Sequence, residues 1–205
     1  MKKTLIGFCL VLLLCIQVTA QKEVDPLQAA IAAKNLTLLK EVISTGGKVN
    51  QTFEFSAINP KTIGGVFTYE KGTPLLYALS FEWYDGVLEL LRAGAKPNAS
   101  PNATASGYSL GTCPVKDFDG ISPMHLAVMM GDADLVKVLI ISGGETKGFM
   151  NVNFKQKCKS VNQEVKFIMW HMRQNSTDTI KELLKEGKKA AWAANGLPAE
   201  GQRPQ

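Results

Sequence analysis

The chain holds only two imidazoles, His125 and His171, and two cysteines outside its first twenty residues, Cys113 and Cys158. Any acid–base, nucleophilic or metal chemistry has to be built from these and from scattered carboxylates. Neither histidine stands in a His-Glu-x-x-His pair, and no Gly-x-Ser-x-Gly elbow or glycine-rich phosphate loop occurs. Asp117-Phe118-Asp119-Gly120 begins like a calcium loop, but the twelfth position, which needs a bidentate glutamate, is Val128. Asp119-Gly120 reads instead as a turn. With no nucleophile at a fixed spacing from a base, no catalytic residue, no metal site and no cofactor is expected. The chain reads as a non-enzyme, with a hydrolase built from loop residues the least favoured alternative. Asn-x-Ser/Thr triplets start at Asn35, Asn50, Asn98, Asn102 and Asn175, and they read as turn chemistry.

The N-terminus is read before the fold. Lys2 and Lys3 precede an apolar run from Leu5 to Ile16, and Val18-Thr19-Ala20 offers a cleavage site. That run is short for a bilayer span. The reading is a signal peptide over residues 1–20, cleaved after Ala20, and a bacterial, periplasmic or secreted product. An uncleaved anchor is the alternative, and lipid attachment at Cys15 is disfavoured by the bulky Leu14 before it. The formal charge of +5 includes Lys2 and Lys3, so the mature chain carries about +3, too little to suggest nucleic acid. No second apolar run of membrane-spanning length follows, so no membrane contact is expected after cleavage. The chain is 45% hydrophobic and 20% charged, enough apolar material to build a core.

Spacing along the chain shows what positions these residues. Asp25-Pro26-Leu27-Gln28-Ala29-Ala30, Thr73-Pro74-Leu75-Leu76-Tyr77-Ala78 and Ser122-Pro123-Met124-His125-Leu126-Ala127 read alike. Each begins with a residue that caps a helix N-terminus, then places proline where a missing N–H costs nothing. Sixteen residues after each shared alanine comes a glycine: Gly46, Gly94 and Gly143. These fit helix C-caps. Between them lie the apolar pairs Val42-Ile43, Leu90-Leu91 and Leu139-Ile140, and Lys34-Asn35 and Gly131-Asp132 fit the turn between two helices. A degenerate fourth copy has His171 at the alanine position, Asn175 at the turn, Leu183-Leu184 as the apolar pair and Gly187 at the end.

This pattern resembles the ankyrin repeat, whose signature is Thr-Pro-Leu-His-x-Ala followed by a second helix and Gly-Ala-x-x-Asn. The closest matches are Ser122 to Ala127 and Gly94-Ala95-Lys96-Pro97-Asn98, and the resemblance covers roughly residues 25–188. It implies an all-α solenoid of about four helix-turn-helix repeats with elongated finger loops. The domain would run over 21–190, with repeats at about 25–50, 73–98, 122–153 and 166–188, and a tail at 191–205. It also implies that His125 hydrogen-bonds neighbouring turns, and that the polar last helix, with Trp192 folding back, caps the stack.

Ankyrin repeats run to about 33 residues. Here the alanine-to-alanine steps are 48 and 49, so the extra length falls between the helical pairs, in the connections that form the family's fingers. The first finger, 51–72, carries Phe53, Phe55, Phe67 and Tyr69, and Thr52–Phe55 is expected to pair with Val66–Tyr69 as a hairpin. The second, 99–120, carries Tyr108 and Phe118; the third, 154–166, carries Lys155, Lys157 and Lys159. Long loops on a rigid stack are habitual recognition sites, so these nine residues are the candidate partner contacts. The alternatives are that the fingers only cover the helices and that the lysines are a solvated face. Cys113 and Cys158 fall at nearly equivalent places in consecutive fingers. A bond between them is expected to contribute about 4 kcal/mol in the chain-entropy model; two free thiols is the alternative. The expected partner is another protein, either a toxin neutralised by an immunity protein or an envelope enzyme protected or scaffolded, and a monomer is expected.

Overall fold

A computed structural model describes residues 24–54, 66–69, 71–99, 103–106, 109–110, 113–147, 149–154, 166–168 and 177–187. Its helices form where the caps predict. The Asp25 carboxylate accepts from the N–H groups of Leu27 and Gln28 at 2.9 and 3.3 Å and opens α1, Pro26–Ala32. Thr73 accepts from Leu76 N–H at 3.3 Å and opens α3, Pro74–Ser80. Ser122 accepts from His125 N–H at 3.3 Å and opens α5, Pro123–Met130. Each satisfies a donor that the helix itself leaves unpaired. The second helix of each unit, α2 (Leu36–Ser44), α4 (Tyr84–Arg92) and α6 (Ala133–Ile141), follows after a tight turn.

The second helices all end the same way. Gly46, Gly94 and Gly143 have φ of +103°, +86° and +94°, a region that costs a residue with Cβ about 1–2 kcal/mol. The following N–H groups fold back: Gly47 N–H reaches Val42 O at 2.8 Å, Ala95 N–H reaches Leu90 O at 2.9 Å, and Gly144 N–H reaches Leu139 O at 2.7 Å. This closes the orphan carbonyls and turns the chain out of the stack at a fixed angle.

The helices stack in two rows, α1–α3–α5 and α2–α4–α6, with a last helix, α7 (Asp178–Glu186), packed on α6. The shared alanines Ala30, Ala78 and Ala127 are fully buried, because the first helices approach closely there. Around them Leu27, Leu39, Leu75, Val87, Leu126 and Leu139 form one apolar core that runs the length of the stack. The described helices are thus an all-α helix-turn-helix solenoid, as the spacing predicts.

The fingers add a second layer. Strands β1 (Val66–Tyr69), β2 (Ala103–Ser106), β3 (Ser109–Leu110), β4 (Cys113–Asp119), β5 (Phe149–Phe154) and β6 (Lys166–Ile168) form an antiparallel sheet in the order β1-β2-β4-β5-β6, with β3 paired to β4. The expected hairpin within the first finger is not what forms. Val66–Tyr69 pairs across to the next finger, Phe67 opposite Ala105 and Tyr69 opposite Ala103. Among the described residues, Thr52 to Glu54 meet the returning chain only through the bridge Phe53–Gly72. Successive fingers leave the stack side by side, so a strand of one finger meets its neighbour's strand without closing the long 56–65 link. The fourth unit also differs in its start. Lys166–Ile168, placed by the spacing at the opening of a first helix, is the edge strand β6 against β5. His171 and Asn175 lie outside the described residues; the unit's second helix, α7, is present and capped by Thr177.

Candidate functional site

The fingers can present a surface only if their bases are fixed. The first is held in three places. Phe53 and Gly72 exchange both backbone hydrogen bonds at 3.1 Å. The Gln51 side-chain amide donates to the Asp25 carboxylate at 2.7 Å, tying the finger to the cap of α1. The Gln28 amide of α1 donates to Glu54 O at 3.2 Å. Phe53 is half-buried against the core, with its ring edge-on to Tyr77 at 5.5 Å and 83°, and Tyr77 meets Phe81 at 4.9 Å and 73°. Edge-to-face pairs of this kind contribute about 0.5–1.5 kcal/mol each beyond burial. Burial raises the Tyr77 phenol above its ordinary pKa, while a side-chain hydrogen bond with Gln28 pulls the other way. Phe53 therefore serves as the anchor of the finger.

Two asparagines lock the places where the later fingers depart. Asn50 donates its amide to Gly94 O at 3.0 Å and accepts from Lys96 N–H at 2.7 Å. Asn98 repeats this one unit on, donating to Gly143 O at 3.1 Å and accepting from Glu145 N–H at 2.9 Å. A primary amide carries a donor and an acceptor side by side, so one side chain can satisfy both free groups of the next unit's closing turn. The third unit has Lys147 at the corresponding position. Asn35 accepts from Leu38 N–H at 3.0 Å and caps α2. Three of the five Asn-x-Ser/Thr asparagines are thus engaged in turns or caps, as read from the sequence; Asn102 and Asn175 lie outside the described residues.

His125 is buried at the start of α5. Its Nδ1 accepts from Ser122 N–H at 3.1 Å, while Ser122 Oγ accepts from His125 N–H. The two residues form a reciprocal capping box. Because a backbone N–H points at Nδ1, the neutral ring in this arrangement carries its proton on Nε2. The imidazole is committed to holding a helix start.

The sheet joins the three fingers. Phe67 and Tyr69 lie on β1, and Phe118 on β4, opposite Ala103 of β2 and Val152 of β5. A bulge between Val115 and Asp117 bends β4 against β5. Asp117 accepts a hydrogen bond from the Asn153 amide, linking the second finger to the third. Cys113 is the first residue of β4, opposite Leu110. Phe55, Tyr108, Lys155, Lys157, Lys159 and Cys158 lie outside the described residues, as do residues 1–20 and the tail with Trp192. Of the candidate contact residues, the structure brings Phe67, Tyr69 and Phe118 into one sheet and sends Phe53 into packing.

A separate notch, lined by Glu82, Met130, Asp132 and Asp134, opens at the turns between the helices of units two and three. It lies one helix length from the finger bases, and Asp132 there is occupied in accepting from the N–H groups of Asp134 and Leu135, both at 3.0 Å. The sequence placed Asn50 and Asn98 in turns without showing that they bond from one unit to the next, and it gave no role to Gln28 or Gln51. The asparagine ladder did leave a signal, since each asparagine follows its C-cap glycine by four residues.

No curated protein matches the chain. Ankyrin stacks in general bind other proteins, and catalysis is not typical of them. Residues 119–149, the third helical unit from the last residue of β4 to the first of β5, match the family model for the ankyrin repeat, and this match supports the ankyrin family for a chain whose helices stack in that way.

Proposed function

We propose that this chain is an exported protein-binding module whose fingers carry the contact surface, and that it acts in the periplasm or outside the cell as an immunity protein that neutralises a periplasm-acting toxin. The observation that carries the binding part is the sheet. Strands from three successive fingers pair in one antiparallel layer, fixed at the base by Gln51–Asp25, Phe53–Gly72 and the asparagine ladder. A pre-fixed surface loses little conformational entropy on binding. Export rests on Lys2, Lys3 and the apolar run to Ile16, with cleavage after Ala20. Among the described residues no helix is long and apolar enough to cross a membrane.

The test exchanges residues 55–65 and 155–165 for short Gly-Ser links, which keeps Phe53, Gly72 and the strands. Affinity for a purified toxin encoded beside the protein should fall about a hundredfold, with helical circular dichroism unchanged. Co-expression of the exchanged protein should no longer rescue cells from that toxin. Undiminished affinity would exclude the exchanged loops as the contact and leave the sheet or the helical stack to make it. Recovery of many weak partners instead of one stoichiometric toxin would favour the stress-protection or scaffold role.

An oxidising compartment allows the Cys113–Cys158 bond. Mass spectrometry of protein alkylated without reductant is expected to show both thiols blocked from labelling. Full labelling of both would refute the bond.

A further inference from the structure

Repetition lets each joint of the stack serve as a control for the others. Units one and two are each clipped to the next unit by an asparagine. Asn50 and Asn98 donate to the carbonyl of the next closing glycine and accept the N–H two residues beyond it. The turn of the third unit also reaches the last helix, since Thr146 Oγ1 stands 4.0 Å from where a Cβ on Gly187 would lie. The residue due to form the latch there is Lys147, which is exposed. An ammonium group carries donors only, so it cannot accept an N–H as the two asparagines do.

Two further features set that joint apart. Helices α2, α4 and α6 each pack against the first helix of their own unit as well as against a neighbouring second helix. The fourth unit sends its start, Lys166–Ile168, into the sheet as β6, and α7 packs on α6. The end of α7 differs as well. Gly46, Gly94 and Gly143 close their helices at φ of +103°, +86° and +94°. Gly187 has φ +58° and ψ −129°, outside the left-handed helical region. Ile180, Leu183 and Leu184 thus dock α7 on the stack with no asparagine at the latch position. Local opening is set by the contacts that must be given up, and this joint has fewer kinds of contact to give up than those before it.

We infer that the joint between α6 and α7 is the one at which the stack opens: α7 undocks by itself while the three units before it stay closed, and it uncovers the face of α6 beneath it. The first unit is the fitting comparison, because it ends the described stack on the other side but is latched by Asn50. Hydrogen exchange of the purified protein, read by mass spectrometry and corrected for intrinsic rates, tests this. The α7 amides from Lys181 to Gly187 should exchange about tenfold faster than the α2 amides from Leu39 to Thr45. Their exchange should also depend less on added urea, because a local opening exposes little surface. Lys147→Asn supplies the latch and should slow α7 exchange about tenfold with α2 unchanged. Lys147→Ala should leave α7 as in the parent. Asn50→Lys should move the loose joint to the other end and speed α2 exchange about tenfold. An α7 protected as strongly as α2 would overturn the inference. So would a Lys147→Asn protein whose α7 exchanges like the parent's, a Lys147→Ala protein whose α7 exchanges differently, or an Asn50→Lys protein whose α2 is unchanged.

Discussion

Gly86→Ala is expected to destabilise the stack by about 2–3 kcal/mol, although alanine is the better helix former. Gly86 lies inside α4 and is buried, where glycine ordinarily costs about 1 kcal/mol relative to alanine. The offset is Trp83. In units one and three the residue before the second helix is Asn35 or Asp132, whose side chain caps the helix, and three residues on stands Leu38 or Leu135. In unit two that residue is Trp83, which makes no side-chain cap bond. Its indole lies across Gly86 and is only 8% exposed. A Cβ at Gly86 would fall far inside van der Waals contact with Cε3, Cζ3 and Cδ2 of that ring. The indole must leave its site or the helix must shift, and either loss exceeds the gain in helix propensity. The melting temperature should drop by about 5–10 °C. A Gly86→Ala protein that melts at or above the parent temperature would show that the indole is free to move.

The contrast between what the sequence shows and what it hides follows from range. Caps at Asp25, Thr73 and Ser122 and the reversals at Gly46, Gly94 and Gly143 are decided within a few residues, so their recurrence at one spacing was enough to predict the helical stack. Burial of Ala30, Ala78 and Ala127 follows from the same register. The fingers obey no such local rule. Val66–Tyr69 has strand-forming residues, but its partner is chosen by which strands the stack sets side by side, and that is Ala103–Ser106 in the next finger. Phe53 illustrates the same limit for the site. Its type suits a partner contact as well as it suits packing. Only the proximity of Tyr77, 24 residues on in sequence, decides for packing. Gly86 and Trp83 were legible in principle, because a tryptophan at the capping position and a glycine three residues later both break the pattern of the other units.

The second large effect is expected at the far end of the stack. A repeat array is stabilised by nearest-neighbour contacts, so its last element must be apolar inward and polar outward. Helix α7 meets this with Ile180, Leu183 and Leu184 at 0%, 6% and 4% exposure against α6, under an outward face of Thr179, Glu182, Lys185 and Glu186. Leu183→Asp places a carboxylate on the inward face, and none of the charged residues described on α7 points there. Keeping α7 docked would mean burying an unpaired charge, so the helix should detach. Detachment forfeits the burial of three apolar side chains, each about 1.5–3 kcal/mol, and regains part of that as chain entropy. The net loss should be about 3–4 kcal/mol. It should appear first as faster tryptic cleavage after Lys181 and Lys185, before the remaining units melt. Glu182→Ala, one residue away but facing water, should stay within about 0.5 kcal/mol of the parent. If the two variants are cleaved and melt alike, α7 is not the cap of the stack, and the end of the folded array must lie beyond Gly187.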